Sequence, residues 1–548
     1  MDTTIRVDVL VVGAGLSGMS ILYRLRKLGL KAKVLEAGAN LGGVWHWNRY
    51  PGARVDSEWP YYQLSIPEVY RNFDFTERFP SAEELRAYMQ HIDKALDLKK
   101  DIVFNQEVID LRWNQTENEW FTTTKQGITA RSKYIVLCTG PLHRRYMPSF
   151  PGLEAYKGAL HHTSFWPDNV DVTGKRVALI GVGATGIQVA QALSKQVQTL
   201  TVFMRRPSYC LPMGQRKLSP EEQQQTKARF ETLFQASRNS YAGFPGSTQS
   251  KGVFDVSEEE REKLYEELWE KGGFAFIVSN FNNWVFDKTA NRSLYEFWAK
   301  KTRLRINNAR KRDILVPVEP PFWFGTKRCP LEQDYYESMD RNNVNIVDLK
   351  DTPIKTFNEK GVLLDNNEQQ DYDIIIMATG FDSFTGSLTS IGLKNREGID
   401  LAQVWQAGIK TYLGVSMPGF PNTFAIYTPQ APAALTNGPT LIETQSDFVA
   451  SAIEKLEAEG ARQIEATVEA ADAWDQMIEA MNAPTLFPLT NSWWNTSNVP
   501  GKKIQNVTHL GGIKMYGDQI KDALQGWKGF HVTPKDGHQT NGVNGVHV

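Results

Sequence analysis

Gly13, Gly15 and Gly18 in GAGLSG share their spacing with Gly181, Gly183 and Gly186 in GVGATG. Glycines at that interval can wrap a backbone around a pyrophosphate. The first allows a tight turn, the second lets amides approach the anion, and the third lets a helix pack close to a strand. A helix that starts in the loop adds partial positive charge from its free N–H groups. The next strand sets the two loops apart. KAKVLEAG, after the first, brings Glu36 to its end, where it can accept hydrogen bonds from a ribose 2′-OH. TLTVFM, after the second, runs into Arg205 and Arg206, which suit a 2′-phosphate. The first loop therefore fits FAD. The second, with Thr185 inside it, fits NADPH in preference to NADH. Two different dinucleotides in one chain imply electron transfer between them.

Such loops work only between a strand and a helix. The apolar run VDVLVVG precedes the first, and MSILYRLRKLG, helical in period and stopped by Gly29, comes after it. KRVALI and IQVAQALSK flank the second in the same way. Two more apolar strands finish in Thr-Gly: YIVLCTG at Gly140, and YDIIIMATGFD with Thr379, Gly380 and Asp382. They are expected where the chain leaves one nucleotide domain and returns to it. Between them the composition shifts. SPEEQQQTKARFETLFQASRNSY, SEEEREKLYEELWEKGG and NRSLYEFWAKKTRLRI read as charged amphipathic helices, the second opening on a Ser cap. The expected fold is α/β, with two Rossmann-like dinucleotide-binding domains and a helical insertion. The expected layout is an FAD domain in 1–141 and 381–532 and an NADPH domain in 142–209 and 327–380. The insertion takes 210–326 and a flexible tail 533–548.

The rest of the composition mainly excludes. A chain of 548 residues needs two or three cores. A net charge of −1 argues against nucleic acid or an anionic membrane as partner. No run reaches the roughly 18 apolar residues of a spanning helix, and the chain enters its first strand without a leader. Cys138, Cys210 and Cys329 form no CxxC or CxxxxC, so no zinc site or dithiol centre is expected. Scattered thiols suit a reducing compartment, which makes the expected location cytoplasmic. The pair His161-His162 has no third ligand in view, so no metal is expected. Nothing points to a protein partner.

One connector is unusual. YKGALHHTSFWPD carries Gly158, His162, Trp166, Pro167 and Asp168 between the two nucleotide domains. It resembles the fingerprint of type I Baeyer–Villiger monooxygenases, with Tyr156 in place of the usual Phe. GGVWHWNRYPGARVDSE, GTKRCPLEQDYYES, ATGFD and SWW…NVPGK resemble the same family, in the same order, over nearly the whole chain. The Trp166-Pro167 pair separates it from the related flavin monooxygenases that oxidise nitrogen or sulfur, the alternative reading. A redox sensor without turnover is the non-enzyme alternative.

The resemblance implies a reaction. NADPH reduces FAD, dioxygen adds at flavin C4a, and the resulting peroxide attacks a ketone. A tetrahedral adduct then rearranges to an ester or lactone, with NADP+ retained during the oxygen steps. The substrates implied are a small-molecule ketone and O2. Arg328 matches the family's active-site arginine and Asp56 the acid that holds it; Asp56 is also expected beside the flavin. Gly43, Val44 and Trp45 match flavin-contacting positions. Lys327, next to Arg328 on an expected strand, matches a lysine near the 2′-phosphate. Trp493 or Trp494 closes on the nicotinamide side, Trp493 being the nearer match. The usual glycine after it is replaced by Asn495-Thr496-Ser497. In the connector, Gly158 is expected to take a positive φ, and His162 to bridge backbone groups across the junction. Leu142, Leu435, Thr436, Asn437 and Phe487 are candidates for the substrate pocket.

Overall fold

The computed structural model of the protein describes residues 4–244 and 246–534. It is built on two twisted sheets. In the first, Ile102–Val103, Ala32–Leu35, Ile5–Val12 and Thr129–Leu137 run parallel in that order, and Thr423–Ala425 pairs in parallel beside Thr129–Leu137. Glu119–Thr124 and Val108–Asn114 extend this sheet as antiparallel strands. In the second, Val344–Asp348, Thr199–Met204, Arg176–Ile180, Ile374–Met377 and Ala159–His162 are all parallel. Parallel strands with covered faces read as unbroken apolar runs. The ends Val9–Val12 and Val177–Ile180 are indeed buried at every residue.

The chain crosses between the sheets twice, and the two crossings lie side by side. Tyr146 N–H donates to Gly380 O at 2.9 Å, and Asp382 N–H donates to Arg144 O at 2.9 Å. Thr379 Oγ1 adds a hydrogen bond to Tyr146 O at 2.6 Å. Gly140 and Gly380 both have positive φ, 71° and 84°, where a side chain would be strained.

The charged stretches after the second cradle form the helices Pro220–Lys227, Phe230–Arg238, Glu258–Lys271 and Lys288–Arg303. Ser219, Ser257 and Asp287 cap three of them through their side chains, Ser257 in a capping box with Glu260. Their aromatic faces are not separate. Tyr265, Phe276, Phe297, Trp298 and Phe324 join the core beneath the second sheet. Phe230 instead reaches the first domain, edge-on to Trp59 and Tyr70. Leu211–Pro212 pairs in parallel with Leu331–Glu332, so the chain enters and leaves this region through one small ladder.

Two local expectations change. Residues 321–330 are irregular rather than a strand, because regular pairing begins only at Leu331. The strand Phe530–Pro534 pairs with Ala461–Ala466 through Pro534, so Thr533 and Pro534 belong to a sheet rather than to a tail. The remainder of the expected tail lies outside the described residues.

Candidate active site

The two glycine loops repeat each other in detail. A Cβ on Gly13 would lie 2.5 Å from Cys138 O, and one on Gly181 2.5 Å from Ala378 O. A Cβ on Gly18 would meet Gly13 O at 1.9 Å, and one on Gly186 would meet Gly181 O at 2.2 Å. Each loop is thus closed against the next parallel strand and against its own helix. Leu16–Lys27 and Ala184–Leu193 open at Gly15 and Gly183 with no side-chain cap. Their first N–H groups are left for an anion, which fits a pyrophosphate at both loops.

Glu36 has a task that its spacing does not show. Its carboxylate accepts the N–H of Ala14 at 2.6 Å and that of Gly38 at 2.7 Å. It therefore shapes the loop from below. Burial raises its pKa, against those two hydrogen bonds. Each oxygen keeps acceptor capacity for a ribose hydroxyl.

Gly43 ties the second motif to the first. Its φ is 53°, and a Cβ there would lie 2.9 Å from Gly15 Cα. It opens the short helix Val44–Trp47, from which Trp45 Nε1 donates to Tyr62 Oη at 2.9 Å. Further on, Tyr50 Oη donates to Gln188 Oε1 at 2.9 Å, and Gln188 Nε2 donates to Arg54 O at 2.9 Å. Gln188 lies on the helix behind the second loop, so this motif spans both nucleotide domains.

Asp56 ends that motif and meets Arg328. Arg328 Nε donates to Asp56 Oδ2 at 2.7 Å and Nη2 to Oδ1 at 3.0 Å, a bidentate pair. Nη1 donates to Ala434 O at 3.0 Å. Burial alone would lower the arginine's pKa, but Asp56 outweighs it and the net shift is upward. The guanidinium has five N–H donors, of which these contacts use three. Two remain for a ligand. The Phe274 ring lies over the guanidinium, 4.7 Å from its Cζ.

Lys327 faces elsewhere. Burial and the neighbouring Arg206 and Arg205 lower it to about 8. Among the described residues no carboxylate pairs with any of the three cations. A cluster of like charges held without a counter-ion fits a bound phosphate, at the end of the strand where the sequence places one.

The connector motif packs against the Gly43–Asp56 motif. Phe165 N–H donates to Trp47 O at 3.2 Å, their rings are 4.6 Å apart, and Arg49 pairs with Asp168 at 3.0 Å. Trp166 is buried beside His161, and Pro167 is exposed. One expectation is corrected. Gly158 does not have a positive φ; a Cβ there would lie 2.2 Å from Tyr156 Oη and 2.9 Å from Asp373 O. Its need for glycine is close packing. His162 Nδ1 accepts the N–H of Ser164 at 3.0 Å and fixes the turn after its own strand, and the ring also meets the backbone of Gly380 on the returning crossover. It approaches Phe381 there edge-on, 5.9 Å between centroids. Burial, aided by Arg145, lowers His162 to about 4, so it stays neutral.

A cavity opens at Asp56. Its apolar lining comes from Phe79, Phe244, Phe274, Ala275 and Val278, and the Glu58–Arg78 ion pair at 2.6 Å stands in its wall. None of the five residues expected to line a pocket is in it. Leu142 is 43% exposed, on the crossover. Thr436 and Asn437 turn to the backbone oxygens of Pro432 and Tyr61, at 2.7 Å each. Leu435 and Phe487 form an apolar cluster with Trp494 around Ala434, the residue whose carbonyl holds Arg328. Sequence reasoning does not find Phe244 and Phe274. Their only sequence signal is Gly272-Gly273 after a helix, which reads first as a stop. Of the tryptophan pair, Trp494 is buried in that cluster, while Trp493 is partly exposed and packs on Phe384 at 5.5 Å.

A flavin cradle, an NADP cradle and an arginine held at their junction define a flavin-dependent monooxygenase. Residues 6–239 match the family described as flavin-binding monooxygenase-like. The chain is 42% identical over 543 residues to the FAD-binding monooxygenase acrE of Aspergillus aculeatus, covering 99% of this chain and 92% of that one. It is 39% identical over 529 residues to cyclopentanone 1,2-monooxygenase of Comamonas sp., covering 96% of each. Among solved structures, a closed crystal structure of cyclohexanone monooxygenase superposes with a TM-score of 0.93 at 33% identity, covering 97% of this chain and 100% of that one. Oxidised steroid monooxygenase bound to NADP gives a TM-score of 0.91 at 36% identity, with the same coverage. The chain belongs to the Baeyer–Villiger monooxygenases, FAD- and NADPH-dependent enzymes that insert oxygen beside a ketone carbonyl. No helix of the described residues is long and apolar enough to cross a membrane.

Proposed function

We propose that Arg328 and Asp56 form the reacting centre for conversion of an apolar ketone to an ester or lactone. The observation that carries this is the bidentate pair, which leaves two arginine donors unused, with its carboxylate at the edge of a cleft partly walled by Phe79, Phe244 and Phe274. FAD, reduced by NADPH, supplies the electrons that activate dioxygen. One oxygen atom enters the ketone and the other leaves as water, with NADPH oxidised to NADP+. The remaining work belongs to this chain. Arg328 offers fixed positive charge and two N–H groups to the anionic oxygens that develop, and it cannot lose that charge at working pH. Asp56 offsets the cost of burying the guanidinium and fixes its plane. The cleft at Asp56, about 40 Å³ as it stands, would have to widen to admit a ketone against its aromatic wall.

Lys327, Arg205 and Arg206 hold the 2′-phosphate of NADPH, and the loop at Trp493 covers the cofactor. The two crossovers, with the connector and the Arg49–Asp168 clamp, form the hinge between the nucleotide domains.

The test is a series of ketones of graded size, from cyclopentanone to steroid dimensions, with NADPH loss and ester formation measured together. The reading requires ester in step with NADPH for at least one ketone. NADPH loss with every ketone, yielding only hydrogen peroxide, overturns it.

A further inference from the structure

Arg328 is gripped from two sides, and the grips belong to different parts of the chain. Asp56 takes its edge and comes from the first nucleotide domain. Phe274 lies against it, with Cζ over the ring at 4.7 Å from the centroid, and comes from the helical region. The anchoring of Phe274 is specific. Glu258–Lys271 ends at Gly272, and Gly272 and Gly273 both have positive φ, 70° and 61°. The chain there turns back on itself, and Gly273 N–H donates to Pro212 O at 2.9 Å. Pro212 is paired with Glu332, and Leu211 with Leu331, in the ladder that begins three residues beyond Arg328. Ring and guanidinium are therefore fastened to one piece of sheet.

We infer that Phe274 is a positioning residue for Arg328: anchored to the same ladder, it holds the guanidinium in its working plane whether or not Asp56 is engaged. The inference rests on the proposed role of Arg328. The negative face of an aromatic ring attracts a guanidinium and favours parallel stacking. Stacking also removes water from one face. The two unused N–H groups, which lie in the plane, then become the accessible donors. Domain rearrangement during the cycle can part Arg328 from Asp56, since the two come from different domains. It does not part Arg328 from Phe274, because they share an anchor. A flexible arginine without that support would need to reorder at each turnover, which lowers the chance that activated oxygen meets the carbonyl before it is lost as hydrogen peroxide.

Phe274 also lines the cavity, so its effect on Arg328 must be separated from its effect on substrate fit. The variants are Phe274→Leu, which keeps bulk without the ring face, and Phe274→Tyr, which keeps the face. Ester formed per NADPH is measured with two ketones of different size. The expected result for Phe274→Leu is a fall in that ratio of at least about fivefold with both, hydrogen peroxide making up the difference. Phe274→Tyr is expected to recover more than half of the wild-type ratio. A fall with one ketone only, or a loss that Phe274→Tyr does not recover, overturns the inference. A second measurement does not depend on turnover. In the FAD-loaded protein, the melting shifts of Phe274→Leu and Arg328→Met are compared with that of the double variant. Contact between the two side chains predicts a double shift smaller than the sum by 2 °C or more; additive shifts overturn the inference. If wild-type protein makes no ester while the melting shifts couple, the proposed reaction fails and the stack stands.

Discussion

Asp56 accepts two N–H groups of Arg328 from a position 272 residues away in the chain, at 2.7 and 3.0 Å. The pair joins the first nucleotide domain to the segment that follows the helical region. Both side chains remain 27% exposed, and Asp56 borders the cavity. A carboxylate that takes the Nε edge leaves the other edge of the fork for a reacting oxygen. Planar geometry matters here as much as charge, and that distinguishes arginine from lysine.

Arg328→Lys keeps the charge and loses the fork. Its ester formation should fall by about 100-fold or more, of the order of one missing preorganised donor, or about 3–4 kcal/mol in the barrier. Asp56→Asn should fall less, because the guanidinium keeps Ala434 O and its aromatic cover. In both variants the 450 nm absorbance of bound FAD should persist. Gas chromatography of the ester, beside the flavin spectrum, checks this. Near wild-type ester from Arg328→Lys would remove the fork from the mechanism.

Lys327 gives a prediction about pH. Its ordinary pKa is 10.5, and burial beside Arg206 and Arg205 lowers it to about 8. Between those values the unfolded chain holds the proton and the folded chain does not, so stability from this group rises with pH across that window. Below about 8 the full cost of a crowded, desolvated cation is present. Lys327→Met should therefore melt higher than wild type at pH 7 without nucleotide, by an amount of order 1–3 kcal/mol. The gain should vanish toward pH 10.5. NADPH shows the opposite trend. Its phosphate needs the charged lysine, so wild-type affinity should weaken above pH 8 while NADH affinity stays flat. Thermal melts and nucleotide titrations across that range decide it.

Glycine substitutions separate the flavin cradle from ordinary turns. Gly43→Ala places a Cβ 2.9 Å from Gly15 Cα, backbone against backbone, at φ 53°. The purified variant should lose most of its FAD, with the 450 to 280 nm absorbance ratio down at least about fivefold. Gly29→Ala is the control. Its φ is 73°, but nothing lies near the added atom. It should cost only about 1 kcal/mol of stability and keep its FAD. Equal FAD loss from both would mean that Gly43 acts through folding alone.

These contrasts show where the sequence is informative. The glycine loops are legible because a cradle is local: strand, turn and helix lie within one stretch, and the spacing carries the geometry. The helix cap at Ser257 is local in the same sense. Arg328 and Asp56 are reachable only through family resemblance, since no periodicity links positions so far apart. Gly158 departs from expectation for a related reason. Its constraint is the Tyr156 hydroxyl and Asp373 O, brought to it by folding rather than by a turn. Phe244 and Phe274 carry no pattern that tells a cavity wall from a core face. The expected pocket residues lie near motifs in the chain, and most of them brace the loop that holds Arg328.

The loop after Trp493 allows a last prediction. Thr496 belongs to the Asn495-Thr496-Ser497 stretch that replaces the family's usual glycine, and it takes the left-handed conformation at φ 61°. That is unfavourable for a β-branched residue. Its hydroxyl lies 2.5 Å from Lys503 O and 2.6 Å from Asn495 O and donates its one hydrogen to this pair of carbonyls, which offsets part of the strain. Lys502 then fastens the loop to Asp382 and Thr385, and Asn498 Nδ2 donates to Phe381 O at 3.0 Å. The loop is thus fastened to the returning crossover between the two sheets. Lys502→Met removes the cation and leaves Asp382 without its partner. The loop should open more often, so the NADP+ inhibition constant should rise about threefold to tenfold. Limited proteolysis between residues 490 and 503 should quicken to match, with FAD content unchanged. An unaltered inhibition constant together with faster cleavage would show that the loop moves without controlling the nucleotide.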